Sequence, residues 1–156
     1  MLRRLTRNQR GQALIEALLA LAFVVVIITA VVITVINALN SAAFNKNQNL
    51  ATQYAQEGLD ITRNMKDTRY SDFIALDETQ KYCPEPNGTL IINENCKVGE
   101  FIREIYIDHG GGSCQADSTF VSSIVSWTDS KCSDGSNCHK VQLDSCFSDP
   151  NRPFGS

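Results

Sequence analysis

The chain has 156 residues, 43% of them hydrophobic, with 14 basic and 17 acidic side chains and a formal net charge of −3 at pH 7. That balance argues against broad, sequence-independent nucleic-acid binding, which needs a basic footprint over much of the surface. His109 and His139 are the only histidines, and neither lies in a nucleophile context, so the residues supply no catalytic set and imply no enzyme.

Residues 1–11 (MLRRLTRNQRG) carry Arg3, Arg4, Arg7 and Arg10 and no acid. A basic cluster ahead of an apolar helix holds that end on the cytoplasmic side and sends the remainder across the membrane. Gly11 and Gln12 follow, then Glu16, then the uncharged run 17–36. At about 1.5 Å per residue, a helix of that length spans the roughly 30 Å hydrocarbon core. A secretory signal has a shorter apolar core, a soluble core helix keeps a polar face, and a plain single-pass anchor leaves Glu16 unexplained. A carboxylate so deep in an apolar segment costs on the order of a few kcal/mol and needs a partner.

Gly11, the uncharged residues 12–15, Glu16 and the hydrophobic run resemble the class III leader of type IV prepilins and pseudopilins. The resemblance implies cleavage after Gly11 by prepilin peptidase, a membrane aspartic protease, with Gln12 as the new and N-methylated terminus. It further implies that the Glu16 carboxylate neutralises the N-terminal ammonium of a neighbouring subunit as the helices bundle into a filament. Gln12 departs from the phenylalanine or methionine commoner there, and the apolar half lacks the helix-breaking glycine or proline of many pilins. Without its four leader arginines the chain keeps 10 basic against 17 acidic residues, a net charge of −7. The implied partners are copies of the chain itself, the peptidase and the membrane assembly machinery. The precursor would sit in the inner membrane with its head outside and pass to a cell-surface pilus. A pseudopilin of a secretion or competence system shares the leader. A membrane-anchored binding module displaying loops such as 110–118 is the alternative from another class.

No proline or glycine occurs from Gln12 to Glu57, so one helix is expected over residues 12–65. Residues 12–37 form its transmembrane and assembly half. Residues 38–65 form an amphipathic half with Leu50, Tyr54, Gly58, Ile61 and Met65 on one stripe. Residues 66–88 read as a connection over the head, with a short helical turn at 72–76 and a turn at Asn87-Gly88. Asn87-Gly88-Thr89 also fits an N-glycosylation sequon, though Asn-Gly is by itself a strong turn signal.

Short β-rich runs follow at 89–93, 100–108, 119–128 and 139–147, each bounded by turn residues. In the second, Phe101, Ile105 and Ile107 alternate with Ile102, Glu104 and Asp108; in the fourth, Val141 and Leu143 alternate with Gln142 and Asp144. One apolar face per strand predicts an antiparallel sheet covered on one side, with the long helix as the cover and a meander as the connection. The fold class is therefore α+β: a long N-terminal helix on a small four-stranded antiparallel head (residues 89–156), tied by disulfides.

All six cysteines follow the membrane helix in the chain, as disulfides in an oxidising compartment require. Strand order suggests Cys83 to Cys96 around the first strand, Cys114 to Cys146 between the ends of neighbouring strands, and Cys132 to Cys138 within one loop. A rival zinc site would use Cys132, Cys138 and His139, with His109 and Cys114 nearby, but the spacing fits no common zinc pattern. Asp129, Asp134 and Asn137 lack the spacing of a calcium-binding EF-hand. Gly110-Gly111-Gly112 opens into Ser-Cys and not into a helix, so it makes no phosphate cradle. No cofactor and no metal are expected.

Overall fold

The computed structural model describes residues 9–93, 95–110, 113–114, 118–129, 132–133 and 137–148. The leader up to Asn8, Gly111, Gly112 and Asp134 lie outside the described residues. The chain divides into two compact units, Met1–Asn45 and Lys46–Ser156.

The helix α1, Gln9–Thr68, runs three residues beyond the expected 12–65 at each end. No proline interrupts it, and its end is marked at Arg69, whose N–H donates to the Met65 carbonyl at 2.8 Å. A short helix α2, Tyr70–Ile74, follows and buries Phe73.

In the first unit every large apolar side chain from Leu14 to Leu39 is 50–67% exposed. The two threonines of this segment bond back into their own helix: Thr29 Oγ1 to the Val25 and Val26 carbonyls at 3.0 and 2.9 Å, Thr34 Oγ1 to Ala30 at 2.8 Å. Neither hydroxyl demands water, which suits a segment surrounded by hydrocarbon.

The second unit holds the sheet, and it has six strands where four were expected. These are β1 Tyr82–Pro84, β2 Leu90–Ile92, β3 Lys97–Val98, β4 Phe101–Asp108, β5 Ser118–Trp127 and β6 His139–Ser148. All pairings are antiparallel in the order β2-β1-β4-β5-β6, with β3 also on β4. Only β4, β5 and β6 form the expected meander. β1 lies in the segment read as connection and inserts between β2 and β4. Its hairpin with β2 turns at Asn87-Gly88, where Gly88 has φ +82° and its N–H donates to Glu85 at 3.0 Å. β3 and β4 are joined by Gly99 and Glu100 alone, and Gly99 at φ +62° supplies the left-handed backbone such a loop needs.

The buried centre of the α1 stripe is Ala51, Ala55, Gly58, Thr62 and Met65, with Tyr54, Leu59 and Ile61 only half-buried beside it. Of the expected stripe Gly58 and Met65 are buried, while Leu50, Tyr54 and Ile61 give way to Ala51, Ala55 and Thr62, because helix and sheet approach too closely for more. A Cβ on Gly58 would lie 2.7 Å from Ser123 Oγ and 3.0 Å from Ile105 Cδ1. Thr62 fits here because its hydroxyl donates to the Gly58 carbonyl at 2.8 Å. Met65, Phe73, Tyr82, Leu90, Ile105, Ile107, Val121 and Phe147 complete one apolar cluster.

Candidate functional site

Gly11, Gln12 and Glu16 all lie on α1, and a Cβ on Gly11 would meet nothing within 4 Å. An exposed glycine inside a helix destabilises it by roughly 0.5–1 kcal/mol relative to alanine. Packing among the described residues therefore gives no reason for a glycine at this position. The first turn of α1 has no acidic residue to complement the helix dipole. Gln12 and Glu16, four apart, share one helix face. Glu16 is exposed and is the only ionisable side chain between Gly11 and Lys46. Among the described residues, one helix is long and apolar enough to cross a membrane.

In the head, the sulfurs pair as Cys83–Cys96, Cys114–Cys146 and Cys132–Cys138, the pairs suggested by strand order. Three bridges point to an oxidising compartment for the head. Asp129, Cys132, Cys138 and His139 do converge, their ligand atoms lying within 4.8 Å of one another, which their spacing in the sequence did not reveal. Cys132 and Cys138 are joined to each other, however, and cysteine ligates a metal as its thiolate, not as a disulfide. What remains is His139 Nε2 at 3.1 Å from Asp129 Oδ2.

Arg103 was missed by the sequence reading. It occupies an inward position of β4 and is 2% exposed. Its Nη1 donates to Glu57 Oε2 at 2.8 Å and its Nη2 to the Pro84 carbonyl at 3.1 Å, so one guanidinium ties α1 and β1 to β4. The available signal was an arginine in register with Phe101, Ile105 and Ile107, facing a helix that offers Glu57. Beside it opens a cleft of about 460 Å³ lined by Tyr54, Glu57, the Cys83–Cys96 bridge and Pro86.

The turn leading into β1 is fixed by Asp77. Its Oδ1 accepts from Thr79 N–H at 2.8 Å and Thr79 Oγ1 at 2.7 Å, and these bonds hold its carboxyl below the usual carboxylate range. No protein-family model matches the chain, and no curated protein or solved structure matches it.

Proposed function

We propose that the chain is a structural subunit of a type IV pilus or a related pilin-like filament. The observation that carries this reading is the exposed apolar half of α1 with a single carboxylate, Glu16, five residues after an otherwise unneeded Gly11. Cleavage after Gly11 frees the Gln12 amine. Assembly exchanges lipid for neighbouring helices, among which Ala13, Ala17, Ala20, Ala22 and Ala30 allow close approach. Glu16 then meets the amine of another copy, and a buried charge with a partner becomes tolerable where an unpaired one is not. The precursor is held in the inner membrane, its head outside, and the product is a filament at the cell surface.

Mass spectrometry of the mature N-terminus tests the first step: Gln12 supports the filament, and an intact leader overturns it. Glu16→Ala should insert and be cleaved but assemble poorly. Loss of about 3 kcal/mol at each subunit contact corresponds to roughly 100-fold weaker association. Equal yields of sheared filaments from variant and parent would remove the role given to this carboxylate. The cleft beside Arg103 favours a second reading, a membrane-anchored binding module, which retains its leader. A pseudopilus subunit shares every step of the first reading and differs in the machine it serves.

A further inference from the structure

β6 ends the path β2-β1-β4-β5-β6 through the sheet. β6 pairs residue for residue with β5 over ten positions, from Trp127↔His139 to Ser118↔Ser148, and no bulge interrupts the ladder. Among the described residues no strand pairs with its other edge. Such an edge presents a row of backbone donors and acceptors to another strand unless proline, a bulge, an inward charge or like-signed surface charges prevent it. β6 contains no proline, and its inward positions are His139, Val141, Leu143, Ser145 and Phe147.

The guards on the solvent face are Lys140 and Asp144, of opposite sign and four residues apart, both exposed. Between them Gln142 donates to Asp144 Oδ1 at 3.0 Å, which holds the carboxylate along the strand. This arrangement matches its own reverse. An axis of two-fold symmetry through Gln142, perpendicular to the sheet, places Lys140 opposite the partner's Asp144 and Asp144 opposite the partner's Lys140. On the inner face it sets Val141 against the partner's Leu143. Residues opposed across antiparallel strands share a face, so the axis must pass through a residue and not between two. Moved to Val141 or Leu143 it loses both ion pairs, so the charges select one register.

We infer that the β6 edge is a docking surface for a second copy of this chain, in antiparallel register about Gln142. The contact needs only the head and does not depend on the filament reading; were the chain in a polar filament, whose successive subunits are related by a screw operation and not a two-fold, this edge would join copies from separate filaments.

A spacer-free carbodiimide, which couples an amine directly to a carboxylate, tests the register on the full-length protein in detergent. Within one strand Lys140 and Asp144 are about 13 Å apart, beyond such a bond, so their coupling has to be between copies. The pair Lys81 and Glu104, at 3.2 Å within one chain, reports in the same sample that the head is folded and the reagent active. The expected result is a covalent dimer whose peptides join Lys140 to Asp144. Lys140→Asp should abolish it, and Lys140→Asp with Asp144→Lys should restore it. Absence of the Lys140–Asp144 link where Lys81–Glu104 coupling is complete overturns the proposal. So does a dimer unaffected by charge reversal, or one whose links require another register. The N-terminal mass of the same sample reads the filament hypothesis separately.

Discussion

Gly58→Ala isolates how closely α1 lies on the sheet. In an exposed helix the change would stabilise by about 1 kcal/mol, because alanine is the better helix former. Here the added methyl meets Ser123 Oγ at 2.7 Å and Ile105 Cδ1 at 3.0 Å, and both of those residues are 0% exposed. Overpacking of a filled core costs about 1–3 kcal/mol. The larger effect opposes the helix gain, and the expected net loss is about 1 kcal/mol, seen as a fall in Tm of about 4 °C. Ser123→Ala removes the nearest atom, a buried hydroxyl without a hydrogen-bond partner among the described residues, and should be close to neutral by itself. With that oxygen gone the double variant should recover most of the loss, a coupling of about 1 kcal/mol between two contacting sites. Fluorescence of the buried Trp127 during guanidinium unfolding, disulfides intact, provides the assay. A Gly58→Ala protein at least as stable as the parent, or no coupling to Ser123, would refute the close approach.

The three bridges should differ in value, because closing a longer loop removes more freedom from the unfolded chain. With separations of 32, 13 and 6 residues, loss of Cys114–Cys146, Cys83–Cys96 and Cys132–Cys138 through paired alanines should cost about 4, 3 and 2 kcal/mol in that order, measured by denaturant midpoints. Arg103→Ala leaves Glu57 and the Pro84 carbonyl without their donor and should cost about 3 kcal/mol, whereas Glu57→Gln keeps a hydrogen-bonding oxygen at a half-exposed position and should cost much less. Thr79→Ala removes the hydroxyl donor to Asp77 and should move that carboxyl back up toward its ordinary range in an NMR titration. Because the folded pKa lies below the unfolded one, Asp77 contributes stability above the ordinary carboxylate range. That contribution is lost as pH falls through the lowered value, and the variant should show less of this dependence.

The elements legible in the sequence are those whose periodicity is long enough to count. α1 announces itself by forty-odd residues without a breaker, and β4 and β6 by strict alternation. β1 is three residues long, buried throughout, and ends in Pro84, and β3 is two residues, so neither displays an alternation that could be counted. Pairing, not local preference, makes them strands. The stripe on α1 holds at Gly58 and Met65 and shifts elsewhere, because a pattern of large residues cannot register how near the opposing sheet comes, and Ala51, Ala55 and Thr62 look neutral until that distance is known. Arg103 was passed over since a charge inside an alternating strand reads as an interruption. At the candidate site, Gly11 and Glu16 were visible as chemistry out of place, while the convergence of Asp129 with His139 depends on two strand ends meeting in space.

The sulfur pairs are nested: Cys132–Cys138 lies inside the span from Cys114 to Cys146. A ribosome delivers thiols in numerical order, so an oxidant that couples each newcomer to the previous unpaired one would close Cys83 with Cys96 correctly. It would then join Cys114 to Cys132, trapping the wrong ring. Cys114 must therefore stay reduced, or be re-sorted by exchange, until the final strand has been made and zipped onto its neighbour. Its partner is chosen by the ladder between Phe120 and Cys146 and not by the timetable of synthesis.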